Sequence, residues 1–200
     1  MTAVSDTVPT ARGGGEVRQR ILAAAADLFY RDGIIATGVD RLSEQASVSK
    51  RTFYKYFPSK ADLVEHYLRD LEDGNGYPME RALGRNEEPP RQRLLGLFDG
   101  TASDRLRGCA FHNAAVEAPG TMPNVEGVVH AHKRAFIERL VTVAAEAGAR
   151  DPRRLANQIA VVFEGAAALS TSLNDVAPFA AARSAAETLI DDALTERRTR

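Results

Sequence analysis

Two hundred residues with 44% hydrophobic content can bury one sizeable core or two small ones, which favours one or two domains. A single cysteine excludes an intramolecular disulfide, and without a long apolar run at the N-terminus neither secretion nor membrane insertion is indicated, so the expected location is cytoplasmic. The net charge of −1 does not itself point to nucleic acid, but its division does: residues 1–60 carry nine Lys/Arg against six Asp/Glu and residues 61–200 seventeen against twenty-one, a basic module joined to an acidic one.

In chain order, residues 1–15, ending Arg12-Gly13-Gly14-Gly15, have the composition of a flexible tail. Thr37 followed three residues later by Asp40 has the form of a capping box and predicts a helix from Gly38 or Val39. Val39, Leu42 and Ala46 share one face of that helix, which should end by Ser47. Ser49 is a good N-cap for a second helix over Lys50–Phe57, and Pro58 stops it because proline disfavours helical geometry in the residue before it. Ser59 with Asp62 opens a third helix by the same capping device. On the second helix Phe53 and Phe57 lie four apart and pack inward. Lys50, Arg51, Thr52, Tyr54, Lys55 and Tyr56 are left to cover the outer surface, which suits a nucleic-acid groove. Two short helices around a Ser-Val-Ser turn have the form of a helix-turn-helix reader of DNA.

The run from Val48 to Lys60, VSKRTFYKYFPSK, resembles the signature of the tetracycline-repressor (TetR) family of bacterial transcription regulators. The run from Glu16 to Gly33 resembles that family's first helix, closed by a C-terminal glycine. The resemblance implies an all-α, nine-helix fold: a three-helix DNA-binding module over residues 16–60 and a helical ligand-binding and dimerisation domain over 61–200. Carried over residue by residue, it sets Lys50, Arg51 and Thr52 at the start of the recognition helix, beside base edges. Thr37, Tyr54, Lys55, Tyr56 and Lys60 complete the expected DNA-binding set, mostly on phosphates. Relatives often have a small residue in place of Arg51, so this side chain adds either a guanine contact or a phosphate contact.

Beyond residue 76, turn residues at Glu88-Pro89-Pro90, Pro119-Gly120, Gly148–Asp151 and Val176–Pro178 divide the chain into helices predicted at about 89–103, 108–118, 124–147, 152–173 and 178–196. Residues 108–147, above all Gly108-Cys109-Ala110-Phe111-His112-Asn113, resemble the regulatory half of one branch of the same family. That resemblance implies a pocket for a small-molecule effector among the middle helices. Its expected lining is Phe98, Phe111, His112, Asn113, Val116, Glu117, His132, Phe136 and Phe163, an amide and a carboxylate among apolar walls. The alternative is that the phenylalanines are core and that Asn113 and Glu117 tie neighbouring helices together.

The resemblance also implies a homodimer through the last two helices. Leu155, Ile159, Phe163, Ala166 and Leu169 on one, with Phe179, Ala182, Ala186, Leu189 and Ala193 on the other, are the expected contact stripes; the alternative is that small residues such as these alanines fill an intramolecular core. The function implied is a ligand-responsive repressor that binds palindromic double-stranded operator DNA. Two alternatives stand beside it: a redox or electrophile sensor acting through Cys109, whose thiol would be activated near a helix start, and a helical adaptor without specific DNA binding. His130 and His132 are two apart and form no metal pair by spacing, and neither metal nor cofactor is expected. The chain shows no Gly-x-Ser-x-Gly elbow, phosphate-binding glycine loop or His-Glu-x-x-His helix, so catalysis is not expected.

Overall fold

Gly33 adopts a φ of 98°, a left-handed conformation open to glycine at no steric cost, and its amide donates to the Phe29 carbonyl at 3.1 Å. This closes α1 (Arg12–Asp32) in the computed structural model, which describes residues 12–73, 78–99 and 107–195. The helix starts at Arg12, so Gly13–Gly15 are helical where a flexible tail was expected; residues 1–11 of that tail lie outside the described residues. Gly14 faces the Tyr56 hydroxyl, which a Cβ at that position would meet at 3.5 Å. Then follow α2 (Val39–Gln45), α3 (Lys50–Tyr56) and α4 (Lys60–Asp73).

The chain divides into two units between Tyr67 and Leu68, inside α4 and beyond the expected boundary at 60/61. The first half of α4 belongs to the first unit because Leu63, Val64 and Tyr67 are buried there, Tyr67 standing edge-on to Phe29 with ring centroids 5.5 Å apart. Ile21, Leu28, Leu42, Phe53 and Phe57 complete that core.

The second unit holds a 3₁₀ segment (Pro78–Gly84), α5 (Pro90–Leu95) extended by a 3₁₀ turn to Phe98, α6 (Ala110–Glu117), α7 (Pro123–Glu146), α8 (Pro152–Leu173) and α9 (Ala177–Leu194). Nine α-helices and no strand are found among the described residues, the all-α class expected. The helix predicted over 89–103 is shorter. It tightens at Gly96, where a Cβ would come within 2.9 Å of the Ala82 Cβ, and it leaves helical geometry at Asp99. Residues 100–103 lie outside the described residues.

Phe163 of α8 centres the second core, with the rings of Phe136, Phe98 and Phe179 at 5.5, 6.1 and 6.3 Å. The α8–α9 connection turns through Asn174 in the left-handed region, φ 49°, and Asp151 caps α8 by accepting the Arg154 amide at 3.0 Å. The packing corrects the expected dimer stripes. Leu155, Ile159, Phe163, Ala166, Phe179, Ala182 and Ala186 are buried within the chain itself, Leu189 and Ala193 pack against that core half-buried, and only Leu169 faces outward. Apolar spacing marks a face to be buried without saying against which chain. The large exposed apolar residues of this hairpin are instead Val161, Leu169 and Leu173, at spacings of eight and four along α8, with Val176 after them.

Candidate nucleic-acid interface and ligand cavity

The turn between α2 and α3 is a Schellman motif: the Ser47 amide donates to Glu44 and the Val48 amide to Ser43, at 3.0 and 2.9 Å. Ser47 occupies the left-handed position, φ 53°, that glycine usually fills. Ser49 then caps α3, its hydroxyl accepting the Thr52 amide at 3.1 Å. Ser59 likewise accepts the Asp62 amide at 3.1 Å and donates to the Asp62 carboxylate at 2.7 Å, as the spacing predicted.

Thr37 departs from expectation. Gly38, which has no side chain to offer, is the N-cap of α2, and the Thr37 hydroxyl donates backward to the Gly33 carbonyl at 2.7 Å. Its side chain is fully buried, so it fastens the end of α1 and presents nothing to a ligand.

Phe53 and Phe57 are fully buried, which fixes the rotation of α3 and turns Lys50, Arg51, Tyr54 and Lys55 outward, with Thr52 and Tyr56 half-buried at the sides. The Lys50 ammonium is ion-paired with Asp40, Lys55 lies 5.8 Å from the Tyr56 ring centroid, and Lys60 donates to the Ile35 carbonyl at 3.3 Å. Arg51 makes no hydrogen bond or ion pair among the described residues, and its side chain is exposed to an incoming partner. A short, rigid rod with an exposed cationic and aromatic face can lie in a groove; its arginine offers two parallel donors to one acceptor pair.

In the second unit a cavity of about 600 Å³ opens between the end of α4, the 3₁₀ segment, α5 and α7. Of the expected lining only His132 belongs to it. His132 is buried, stacked 3.5 Å from the Phe111 ring, with Glu72 3.5 Å from Nδ1 and Glu80 3.2 Å from Nε2. Phe98, Phe111, Phe136 and Phe163 are buried core residues, and Val116 faces outward. Asn113 donates to the Arg107 carbonyl at 2.7 Å and so ties down the approach to α6, the structural alternative for that residue. Glu117, half-buried near the end of α6, lines neither this cavity nor the smaller recess beside Cys109.

That recess holds His112, Asn113 and Glu164. Cys109 is buried there, and burial pushes its thiol pKa up, outweighing the nearby Lys133 ammonium 3.6 Å from Sγ. Cys109 is thus a buried packing thiol rather than the activated one of the sensor alternative: desolvation exceeds the pull of the helix amides. Burial pushes Lys133 down, yet Cys109 and Glu164 together carry it above its ordinary range. With the thiol neutral, Glu164, hydrogen-bonded directly to Lys133, is the partner that keeps the ammonium charged.

The sequence reading missed Glu80, Arg81, Arg85, Arg93 and Arg139, all on the walls of the larger cavity. One signal was available: His132, Ala135, Arg139, Thr142 and Val143 recur at helical spacing on one face of α7. The residues opposite them come from distant segments.

The family described as bacterial regulatory proteins, tetR family, matches residues 21–67, which run from α1 through α3 into α4. A Streptomyces avermitilis protein described as a tetR transcriptional regulator is 30% identical, the match covering 90% of this chain and 99% of that one with a TM-score of 0.77. A TetR-family transcriptional regulator from Streptomyces coelicolor superposes with a TM-score of 0.81 at 26% identity, over 90% and 97% of the two chains. The HTH-type transcriptional regulator TtgR of Pseudomonas putida is 29% identical over 93 residues, 44% of each chain. The match thus spans less than half the length of that curated relative.

Proposed function

The chain belongs to the tetR family of bacterial regulatory proteins, and from that premise we propose that it is a cytoplasmic DNA-binding transcription regulator whose hold on an operator responds to a small molecule. The observation that carries this reading is the outer face of α3, where Arg51 and Tyr54 stand exposed on a helix whose orientation is fixed by two buried phenylalanines. Lys50, Lys55 and Lys60 supply charge for phosphates, and Arg51 supplies the contact that selects sequence. The role is binding, not catalysis.

A two-fold operator needs two recognition helices, and the exposed apolar row of α8, Val161, Leu169 and Leu173 with Val176, is the surface for a second copy of the chain. The effector site is the cavity beside α7. Because α4 gives Leu63 to the first core and Glu72 to the cavity wall, a ligand that displaces Glu72 acts on the helix that also carries first-unit residues. Coupling of this kind is reciprocal: an effector that weakens DNA binding is itself bound more weakly by the DNA complex.

The test is gel retardation with the DNA upstream of the protein's own gene, over a salt series, for the wild type and Arg51→Ala. Specific retardation with a steep loss on raising salt supports the regulator. Arg51→Ala should lose about 1–3 kcal/mol on the operator and far less on unrelated duplexes. Equal loss on every sequence reduces Arg51 to a phosphate contact. No retardation at low salt overturns the DNA-binding reading.

A further inference from the structure

Four arginines line the large cavity, Arg81, Arg85, Arg93 and Arg139, against two carboxylates, Glu72 and Glu80. Of the two carboxylates, Glu80 is already engaged. Glu80, almost wholly out of water, is bonded to Arg139 and lies 3.2 Å from His132, while Glu72 faces the other nitrogen of the same imidazole. A buried carboxylate with two such partners is held rigidly, since losing either leaves charge in a medium that solvates it poorly. Arg93 is also occupied, donating to the Leu83 carbonyl and, at 2.5 Å, to Glu146, which lies outside the lining.

Arg81 and Arg85 differ. Arg81 makes no hydrogen bond or ion pair among the described residues, and Arg85 reaches only Glu88, at 3.4 Å on the exposed side. Two loosely held guanidinium groups thus join a wall on which Glu80 is neutralised by Arg139. Leu83, Ala135 and Val143 add an apolar strip. The volume falls in the range of small-molecule sites.

From this charge arrangement we infer that the cavity takes an organic anion, a carboxylate on an apolar body, with the carboxylate against Arg81 and Arg85 and the body along Leu83, Ala135 and Val143. The inference rests on the effector-cavity reading above and names its ligand class. A cationic ligand has only Glu72, beside His132, to set against two loosely held guanidinium groups. A neutral one gives the two arginine forks no charge-assisted partner.

The experiment is isothermal calorimetry on the full 200-residue protein without DNA, using octanoate, phenylacetate and naphthoate, their carboxamides, octylammonium and inorganic phosphate. At least one carboxylate should bind saturably, on the order of tenfold tighter than its own carboxamide, the size of one charge-assisted contact. The double substitution Arg81→Gln/Arg85→Gln should remove that margin, and Arg81→Lys/Arg85→Lys should restore part of it. Circular dichroism and the melting temperature serve as controls on folding. Carboxamides binding as tightly as carboxylates, a preference for octylammonium, no saturable carboxylate, or unchanged affinity in the glutamine variant would each overturn the inference. Phosphate binding as tightly as any carboxylate would overturn the organic body. Gel retardation in parallel keeps the outcomes apart, because DNA binding can fail while the calorimetric preference stands, and the reverse.

Discussion

The two units handle positive charge in opposite ways. In the first, the cations of α3 stand on an outer face, Lys50 held by one carboxylate and Lys55 by one ring, and Arg51 by none among the described residues. In the second, four arginines line a cavity and two of them are bound tightly to acids or carbonyls, Arg93 to Glu146 and Leu83, Arg139 to Glu80. An outer face made by one short helix needs only a firm seat, whereas an inner wall assembled from four segments needs charge pairs to hold it. The first unit stands or falls with how α3 is seated, the second with how its segments approach one another.

The sharpest way to break the contrast is to unseat α3. Phe53 is fully buried, its ring 6.2 Å from Phe57 and 5.4 Å from Tyr54. Phe53→Ala should cost about 3–5 kcal/mol, from lost burial and the cavity left behind. Urea unfolding followed by circular dichroism measures it. DNA retardation should disappear with it, while carboxylate binding in the second unit persists; a variant as stable as wild type would mean that α3 is not held by this contact.

Close approach governs the second unit, and Gly108 is its tightest point. Its φ is 67°, and a Cβ there would meet the Thr171 hydroxyl at 2.7 Å. Gly108→Ala therefore combines backbone strain with overpacking and should destabilise by about 1–3 kcal/mol, read from the same denaturation curves. Adding Thr171→Ser, which keeps the hydroxyl, should recover little, whereas Thr171→Ala should recover part. No recovery from either would place the cost in the backbone alone.

A smaller effect separates seating from capping. Ser49→Ala removes the hydroxyl that accepts the Thr52 amide and should cost about 1 kcal/mol, with DNA affinity falling no more than stability explains. A much larger loss of DNA binding would show that the Ser49 side chain touches DNA itself.

The same contrast explains what could be read from the residues alone. The recognition helix and its flanks lie within residues 49–62, so the caps at Ser49 and Ser59, the stop at Pro58 and the inward pair at Phe53 and Phe57 follow from spacing along one chain segment. Thr37 misled because a Thr-x-x-Asp spacing marks a possible cap, and a threonine hydroxyl can equally bond backward to the carbonyl four residues earlier, here Gly33. The helices of the second unit were legible too, from their turn residues. The charged cavity was not: Glu80 pairs with His132 and Arg139, more than fifty positions away, and helical periodicity carries no information about partners at that distance. The dimer stripes failed for a related reason, since a long helix with apolar residues on two sides does not announce which side its own chain will cover.

Cys109 gives the last and smallest test, on a group both units' logic would assign to burial. Burial raises its thiol pKa despite Lys133, so little thiolate exists near neutral pH. Iodoacetamide should label the native protein far more slowly than the urea-unfolded chain, with the native rate climbing only above the ordinary thiol range. The linkage has a definite sign. A thiol whose folded pKa exceeds its unfolded value contributes stability that is fully present below the unfolded pKa and is lost as pH rises through the folded one. Melting temperatures should therefore fall on the alkaline side more steeply for wild type than for Cys109→Ala, once the difference between the two at neutral pH is subtracted. Parallel alkaline curves, or rapid native labelling at neutral pH, would show a thiol open to solvent and would return a sensing role to Cys109.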